Sequence, residues 1–261
     1  MDFTVDGKAV FAATGGRPFD AGLPGVVFLH GGGMDHSVWA LQTRYFAHHG
    51  RTVLALDFPG HGRSAGPPLD SIAAMAAWLG RFLDAAGVGP VAVAGHSMGA
   101  LVALAAGAEL GPRIRALALL GAAPRMPVHP ELLAAAKADA HLAVELVTSW
   151  GHGTSGHLGG NLAPGLWLMG GAERVLERAA PGVLHNDLAA CDAYDGAEAA
   201  ARIACPCQVV IGTLDHMTPA TAGRKLAGMI AGARVATIPG CGHMMMLEKP
   251  DETLDALRSV L

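Results

Sequence analysis

The sequence has few charged residues and no long hydrophobic run. Only 15% of its 261 residues are Asp, Glu, Lys or Arg, against roughly 25% in an ordinary soluble domain, while 51% are apolar. A membrane-spanning helix needs about 18 or more consecutive apolar residues. The most apolar stretch, residues 91–108, is interrupted by three glycines, a histidine and a serine. We therefore expect a protein that does not associate with membranes.

Cysteine and positive charge are also scarce. The four cysteines have neither the paired spacing of a zinc site nor the density of a disulfide framework. A net charge of −4 without a basic run argues against nucleic acid as a partner. The first residues lack the charged and apolar segments of a secretion signal. We expect a cytoplasmic protein that uses no cofactor or metal ion.

Short apolar runs alternate with helical patterns along most of the chain. Residues 2–13 resemble a hairpin, with Asp6-Gly7 at its turn. The later strand-like runs are 26–29, 52–56, 91–94, 114–120, 208–211 and 234–238. Helical patterns cover 37–49, 70–86 with Asp70 as the N-cap, 99–109, 219–230 and 250–260. This alternation predicts an α/β fold with a mostly parallel central sheet and helices on both faces.

The alternation stops between residues 123 and 206. This interval contains predicted helices at 131–147, 173–180 and 183–190 and a glycine-rich stretch at 151–160. Connections between strand and helix are normally about 2 to 6 residues long, so we interpret the interval as an inserted element. The predicted domains are a core of residues 1–123 and 207–261 and an inserted helical lid, or cap, of residues 124–206.

One serine lies in a context typical of a nucleophile. Gly95-His96-Ser97-Met98-Gly99 follows a strand and opens a helix, as a functional G-x-S-x-G motif requires. The turn is so tight that its flanking positions tolerate almost no side chain, and glycine meets that need. The turn places Ser97 at the carboxyl edge of the sheet, where open α/β folds bind ligands.

Two residues at the same edge can activate this serine. A serine hydroxyl is a weak nucleophile and needs a base that a third group orients. Asp215 follows the strand at 208–211, and His243 follows the strand at 234–238. His216 is an alternative base, although its neighbour Asp215 shares the same tight loop. His152 and His157 could bind a metal, but they lack a third ligand at recognisable spacing.

These motifs together resemble the α/β-hydrolase superfamily, in its lidded, serine esterase-like branch, across essentially the whole chain. The chain order Ser97, Asp215, His243 is that of the superfamily's triad. His30-Gly31-Gly32-Gly33-Met34 resembles its oxyanion loop, and the segments 57–64 and 242–250 resemble two further family motifs.

The resemblance implies a role for each matching residue. Ser97 would be the nucleophile, His243 the general base and then the general acid, and Asp215 the group that orients the imidazole. The backbone N–H groups of Gly32 and Met98 would form the oxyanion hole, with that of Gly33 as a possible third donor. From the residues themselves we further expect Trp150 and Met244 at the substrate pocket.

Charge placement favours neutral substrates. Residues 124–206 contain five basic and nine acidic residues and therefore carry the whole net charge of −4. An acidic lid does not steer anionic substrates toward a neutral core. The sequence thus predicts a serine hydrolase of neutral carboxylic esters with small to medium apolar acyl groups.

Other functions stay open at this point. A C–C bond hydrolase or a lactonase would use the same fold, while a ligand-binding receptor-like protein or a hydroxynitrile-type lyase would belong to a different class. The predicted partner is a small-molecule ester, and a homo-oligomer is possible.

Overall fold

Eight strands form one sheet in the computed structural model, which describes residues 1–159 and 167–261. The strands are β1 (Asp2–Val5), β2 (Lys8–Ala13), β3 (Gly25–Leu29), β4 (Thr52–Leu56), β5 (Val91–His96), β6 (Ile114–Leu120), β7 (Cys207–Gly212) and β8 (Arg234–Ile238). Their order is β1-β2-β4-β3-β5-β6-β7-β8. β1 and β2 form an antiparallel hairpin and β2 pairs antiparallel with β4, whereas all later neighbours are parallel. The predicted mostly parallel sheet is confirmed.

Helices cover both faces of this sheet. They are α1 (Ala40–His48), α2 (Ile72–Ala86), α3 (Met98–Leu110), α4 (Pro130–Lys137), α5 (His141–Gly151), α6 (Thr154–His157), α7 (Leu168–Glu177), α8 (Val183–Ala193), α9 (Ala197–Ala201), α10 (Ala220–Met229), α11 (Met245–Glu248) and α12 (Pro250–Arg258). Along β3, Val27 and Leu29 pack with α2 and α3, while Val26 and Phe28 pack with α1 and α12. Both faces are buried, which explains the uninterrupted apolar runs.

The segment 124–206, which carries α4 to α9 between β6 and β7 and is called the inserted segment below, differs in detail from the prediction. The helix expected at 131–147 is two helices, α4 and α5, because Asp139 adopts a left-handed φ of 49° between them. The helix expected at 173–180 is α7, which begins and ends earlier. The glycine-rich stretch contains the short α6 in its described part, and its last residue, Gly160, lies outside the described residues.

The start of α2 also corrects the prediction. Its N-cap is Ser71, not Asp70, since the Ser71 Oγ accepts a hydrogen bond of 3.3 Å from the Ala74 N–H. Ser71 is extended at φ −151° and ψ 152°, as an N-cap residue should be.

Within residues 1–159 and 167–261, no helix has the length and apolar character needed to cross a membrane.

Candidate active site

Ser97 occupies a strained turn between β5 and α3. Its φ of 53° and ψ of −119° lie outside the regions that serine normally adopts. A Cβ at Gly95 would lie 2.1 Å from the Gly99 carbonyl oxygen, and a Cβ at Gly99 would lie 2.4 Å from the Leu29 carbonyl oxygen. Only glycine fits at both positions. The turn therefore depends on the motif that identified it in the sequence.

His243 and Asp215 meet at the carboxyl edge of β7 and β8. His243 Nδ1 lies 2.8 Å from Asp215 Oδ2, and both side chains are buried. Because a carboxylate only accepts, Nδ1 carries the proton, which leaves a lone pair on Nε2. In the described part of the chain, Nε2 has no hydrogen-bond partner. It belongs to a side chain that lines the same cavity as Ser97.

Asp215 is held as an anion by further hydrogen bonds. Its Oδ1 accepts from the N–H groups of Met217 and Thr218 at 2.9 and 2.7 Å, and its Oδ2 accepts from Thr218 Oγ1 at 2.6 Å. Burial alone would raise the pKa of Asp215, but His243 and the two hydrogen bonds from Thr218 lower it below its ordinary value. The carboxylate is therefore fixed both in charge and in orientation.

Two residues that support this pair were missed in the sequence. Thr218 follows Asp215 by three residues, in the spacing of a side chain that closes a turn on its neighbour. Gly121 directly follows β6 with a φ of 57°, and a Cβ there would lie 2.8 Å from His243 Cε1. The imidazole therefore packs against a bare backbone. In the sequence, the only indication of this contact is a glycine directly after the apolar run 114–120.

The glycines after β3 lie beside the serine turn. Gly32 lines the cavity with Ser97, and Met98 is the first residue of α3, where main-chain N–H groups have no partner within the helix. The Gly33 N–H donates to Asp187 Oδ2 at 2.8 Å in a buried contact. The expectation that Gly33 supplies a third oxyanion donor is therefore wrong, because that N–H is already occupied.

The cavity above Ser97 is lined mainly by apolar side chains. Its volume is about 440 Å³. Trp150 and Met244 both line it, as do His129 and His216. Among the described residues on its wall, none is Asp, Glu, Lys or Arg; the other lining residues are Met34, Met126, Pro127, Val128, Leu132, Val147, Gly151, Leu184, Leu188, Cys191 and Met217. A neutral apolar group fits such a wall.

The inserted segment binds the loop that carries His243. The Gly151 carbonyl at the end of α5 accepts from the N–H groups of His243 and Met244 at 2.9 and 3.0 Å. Glu248 Oε2 accepts from the Gly153 N–H at 2.9 Å and the Gly242 N–H at 3.2 Å. The position of His243 thus depends on contacts from outside the sheet.

The alternative histidine roles are not favoured by the geometry. His216 lines the cavity, but the Asp215 carboxylate faces His243 instead. His152 Nδ1 and His157 Nε2 donate to the carbonyls of Thr148 and Ser149.

The described residues contain one three-membered group with the atoms of a metal site: Asp35, His36 and Asp57. Its atoms are engaged in hydrogen bonds, since Asp57 Oδ1 faces His36 Nδ1 at 2.8 Å and Asp35 Oδ1 accepts from Ser37.

A family model, two relatives and a solved structure that resemble this chain are all hydrolases. The family model described as "Alpha/beta hydrolase family" matches residues 26–256. The (E)-2-((N-methylformamido)methylene)succinate hydrolase of Acinetobacter baylyi is 27% identical over 90% of this chain and 89% of its own. The pimeloyl-[acyl-carrier protein] methyl ester esterase of Aromatoleum aromaticum is 29% identical over 91% of this chain and 98% of its own. The crystal structure of the enol-lactonase from Burkholderia xenovorans superimposes with a TM-score of 0.88, at 24% identity over 99% and 98% of the two chains.

Proposed function

The chain belongs to the alpha/beta hydrolase family, and from that premise we propose that it is a serine hydrolase that cleaves neutral carboxylic esters through an acyl-enzyme. The observation that carries the proposal is the buried His243–Asp215 pair. His243 lines the same cavity as Ser97, and its Nε2 has no hydrogen-bond partner among the described residues. The cavity has the size and polarity for a small to medium apolar acyl group.

In the first half of the proposed reaction, the Ser97 Oγ attacks the ester carbonyl carbon as His243 Nε2 takes the hydroxyl proton. Asp215 holds the Nδ1 proton and stabilises the imidazolium that forms. The carbonyl oxygen becomes an oxyanion, which the N–H groups of Gly32 and Met98 stabilise. His243 then gives its proton to the departing alkoxide, so an alcohol leaves and the acyl group stays on Ser97.

In the second half, water repeats the same steps. His243 Nε2 takes a proton from the water as it attacks the acyl-enzyme, and the oxyanion forms at the same N–H groups. When this intermediate collapses, the proton on His243 returns to Ser97 Oγ and a carboxylic acid is released. Apart from the ester and water, these proposed steps use side chains and backbone groups of this chain.

The proposed substrate class is supported by the cavity wall. An anionic acyl group needs a cationic partner when it leaves water, and the described wall offers only apolar side chains, the Ser97 hydroxyl and imidazoles. The acidic inserted segment adds no attraction for anions. The relatives named above include a succinate-derivative hydrolase and a methyl ester esterase, so the family accommodates both kinds of substrate. The neutral wall of this chain favours uncharged esters.

The decisive experiment compares Ser97→Ala with Ser149→Ala on p-nitrophenyl butyrate. Ser149 is an exposed serine of α5 and serves as the matched control. We expect Ser97→Ala to lower kcat by about 10⁶, the scale known for triad nucleophiles, and Ser149→Ala to keep wild-type kcat. A fluorophosphonate should label wild-type protein at Ser97 alone. Retention of near-wild-type turnover in Ser97→Ala would refute the proposal.

A substrate panel tests the acyl group. Neutral p-nitrophenyl esters from acetate to laurate should be cleaved fastest at short to medium chain length, because the cavity is compact. A dicarboxylic acid monoester, a lactone, an aliphatic diketone and an acyl-CoA should all be poorer substrates. Faster cleavage of the anionic monoester or of the diketone would contradict the neutral-ester assignment and would leave the serine mechanism intact.

A further inference from the structure

A buried ion pair lies directly behind the glycine loop that follows β3. Asp187 in α8 and His61 in the loop after β4 are almost fully buried, and His61 Nε2 lies 2.7 Å from Asp187 Oδ2. The same Oδ2 accepts the Gly33 N–H at 2.8 Å. One carboxylate oxygen of the inserted segment therefore joins two loops of the sheet edge.

The hydrogen-bond partners of His61 indicate which of its ring nitrogens carry a proton. His61 Nδ1 lies 3.0 Å from the Pro59 carbonyl, which can only accept, so Nδ1 carries a proton. Nε2 faces a carboxylate oxygen and also carries a proton. With Asp187 as a carboxylate, His61 is an imidazolium.

The surroundings of the pair are consistent with this charge. Burial alone would lower the pKa of His61, but the hydrogen bond and charge of Asp187 raise it, and Asp57 adds to that effect. Nearby His30 has its ring centre 5.0 Å from that of His61. Burial and the charge of His61 lower the pKa of His30 to about 4, so His30 is neutral. Its Nδ1 donates to the Gly31 carbonyl, and its Nε2 accepts from the Phe58 N–H.

The glycine loop is thus held at both ends, with Gly32 between the two attachments. His30 fixes Gly31, and Asp187 fixes Gly33. A Cβ at Gly32 would lie 3.1 Å from the Asp187 Cβ, so the Asp187 side chain also backs the middle of the loop. Losing the Gly33 contact would free the peptide units on which the direction of the Gly32 N–H depends.

We propose that Asp187 is a positioning residue of the inserted segment, which holds the Gly31–Gly33 loop so that the Gly32 N–H can face the oxyanion, with His61 fixing Asp187 in turn. This inference rests on the proposed serine hydrolase function. Asp187 touches no reacting atom in this scheme and acts through Gly33 and Gly32.

The test uses the variants Asp187→Ala and Asp187→Asn and the control Arg178→Gln. For each, kcat and KM are measured with p-nitrophenyl butyrate, and an inhibition constant is measured with an alkyl trifluoromethyl ketone. Such a ketone forms a tetrahedral adduct with the serine and so reports oxyanion binding. Arg178 of the inserted segment pairs with Asp35 of the sheet edge, so its variant removes an ionic contact between the same two parts of the chain but leaves Gly33 untouched.

We expect Asp187→Ala to lower kcat by about 10-fold to 100-fold, below the about 10²–10³ for complete loss of an oxyanion donor. The KM should stay within about 3-fold, and the inhibition constant of the ketone should rise by about the same factor as kcat falls. Asp187→Asn keeps an acceptor for the Gly33 N–H and the volume of the side chain, so it should fold and should recover most of the lost kcat. Arg178→Gln should keep wild-type kcat and ketone affinity.

Several results would overturn the inference. They are an unchanged kcat in Asp187→Ala, a loss of kcat without a change in ketone affinity, or an equal loss in Arg178→Gln. A separate measurement needs no substrate: nitrogen-15 NMR of wild-type protein near neutral pH should show both ring nitrogens of His61 protonated, with the signals assigned by their absence in His61→Gln. A neutral His61 would also refute the inference. Failure of the proposed function would be recognised separately, by a Ser97→Ala variant that is still active.

Discussion

The contact between Gly121 and the His243 ring makes Gly121→Ala a direct test of how His243 is positioned. A Cβ at this position would lie 2.8 Å from His243 Cε1 and 2.9 Å from Nδ1. Ordinary contact begins at 3.4 Å, so the ring has to move by about 0.6 Å. Because His243 Nδ1 lies 2.8 Å from Asp215 Oδ2, a movement of the ring changes the hydrogen bond that orients the imidazole.

The expected effect on turnover follows from this displacement. A misplacement of about 1 Å in a catalytic arrangement costs about 10²-fold, so a shift of this size should lower kcat by about 10-fold to 100-fold. The φ of 57° at Gly121 adds backbone strain in the variant, on the order of 1 kcal/mol in the free energy of unfolding. The assay is steady-state hydrolysis of p-nitrophenyl butyrate, with the free energy of unfolding measured in urea.

Gly87→Ala is the matched control. Gly87 caps α2 at a φ of 63°, and a Cβ there would meet no atom of the described residues within 4 Å. This variant therefore carries the same backbone strain without the ring contact. It should lose on the order of 1 kcal/mol of stability and keep wild-type kcat. If Gly121→Ala matches Gly87→Ala in kcat, the ring contact does not position His243 and the reasoning is refuted.

Three further predictions test other parts of the site. Thr218→Val removes the donor at 2.6 Å from Asp215 and should lower kcat by about 10-fold, since a hydrogen bond to a charged group contributes about 1.5–3 kcal/mol; unchanged kinetics would contradict this role. Trp150→Ala enlarges the cavity and should raise kcat/KM for an octanoate ester relative to a butyrate ester, and a falling ratio would argue against Trp150 as a wall of the acyl site. Burial lowers the pKa of His30 to about 4 in the folded chain. As the pH drops from about 6.5, His30 is therefore protonated in the unfolded chain before it is protonated in the folded chain, and the free energy of unfolding falls. His30→Gln should shrink the loss of unfolding free energy between about pH 7 and about pH 4.5 by roughly 2.4 kcal/mol, and an equal loss in both proteins, measured in urea, would refute it.

The sheet could be predicted from the sequence because both of its faces are buried. Residues 52–56, 114–120 and 234–238 were expected as strands, and β4, β6 and β8 have those bounds. The grouping of Ser97, Asp215 and His243 could be predicted because each lies in the turn or loop after a parallel strand, and parallel strands end at one edge. Helix ends were harder to predict: residues 138–140 separate α4 from α5, Asp139 has a left-handed φ there, and neither glycine nor proline marks the break.

The supporting residues could not be predicted, because they depend on contacts between distant parts of the chain. Asp187 lies 154 residues after Gly33 and 126 after His61, and no local pattern connects them. The same holds for Gly151, whose carbonyl accepts from His243. In the sequence, the inserted segment is only a long helical interval. Its contacts with the His243 loop and with Gly33 are visible only in the folded structure.

The paired hydrogen bonds at the Gly151 carbonyl have a consequence for protein engineering and for evolution. The inserted segment is the natural part to exchange between relatives when a new specificity is wanted, since it forms much of the cavity wall. In this chain, the exchange also removes the acceptor for the His243 and Met244 N–H groups and the carboxylate that holds Gly33. A chimera built with a donor segment that lacks these two features would bind ligands but turn them over slowly. Selection for new substrates in this lineage is therefore expected to alter side chains within the segment rather than to replace it whole.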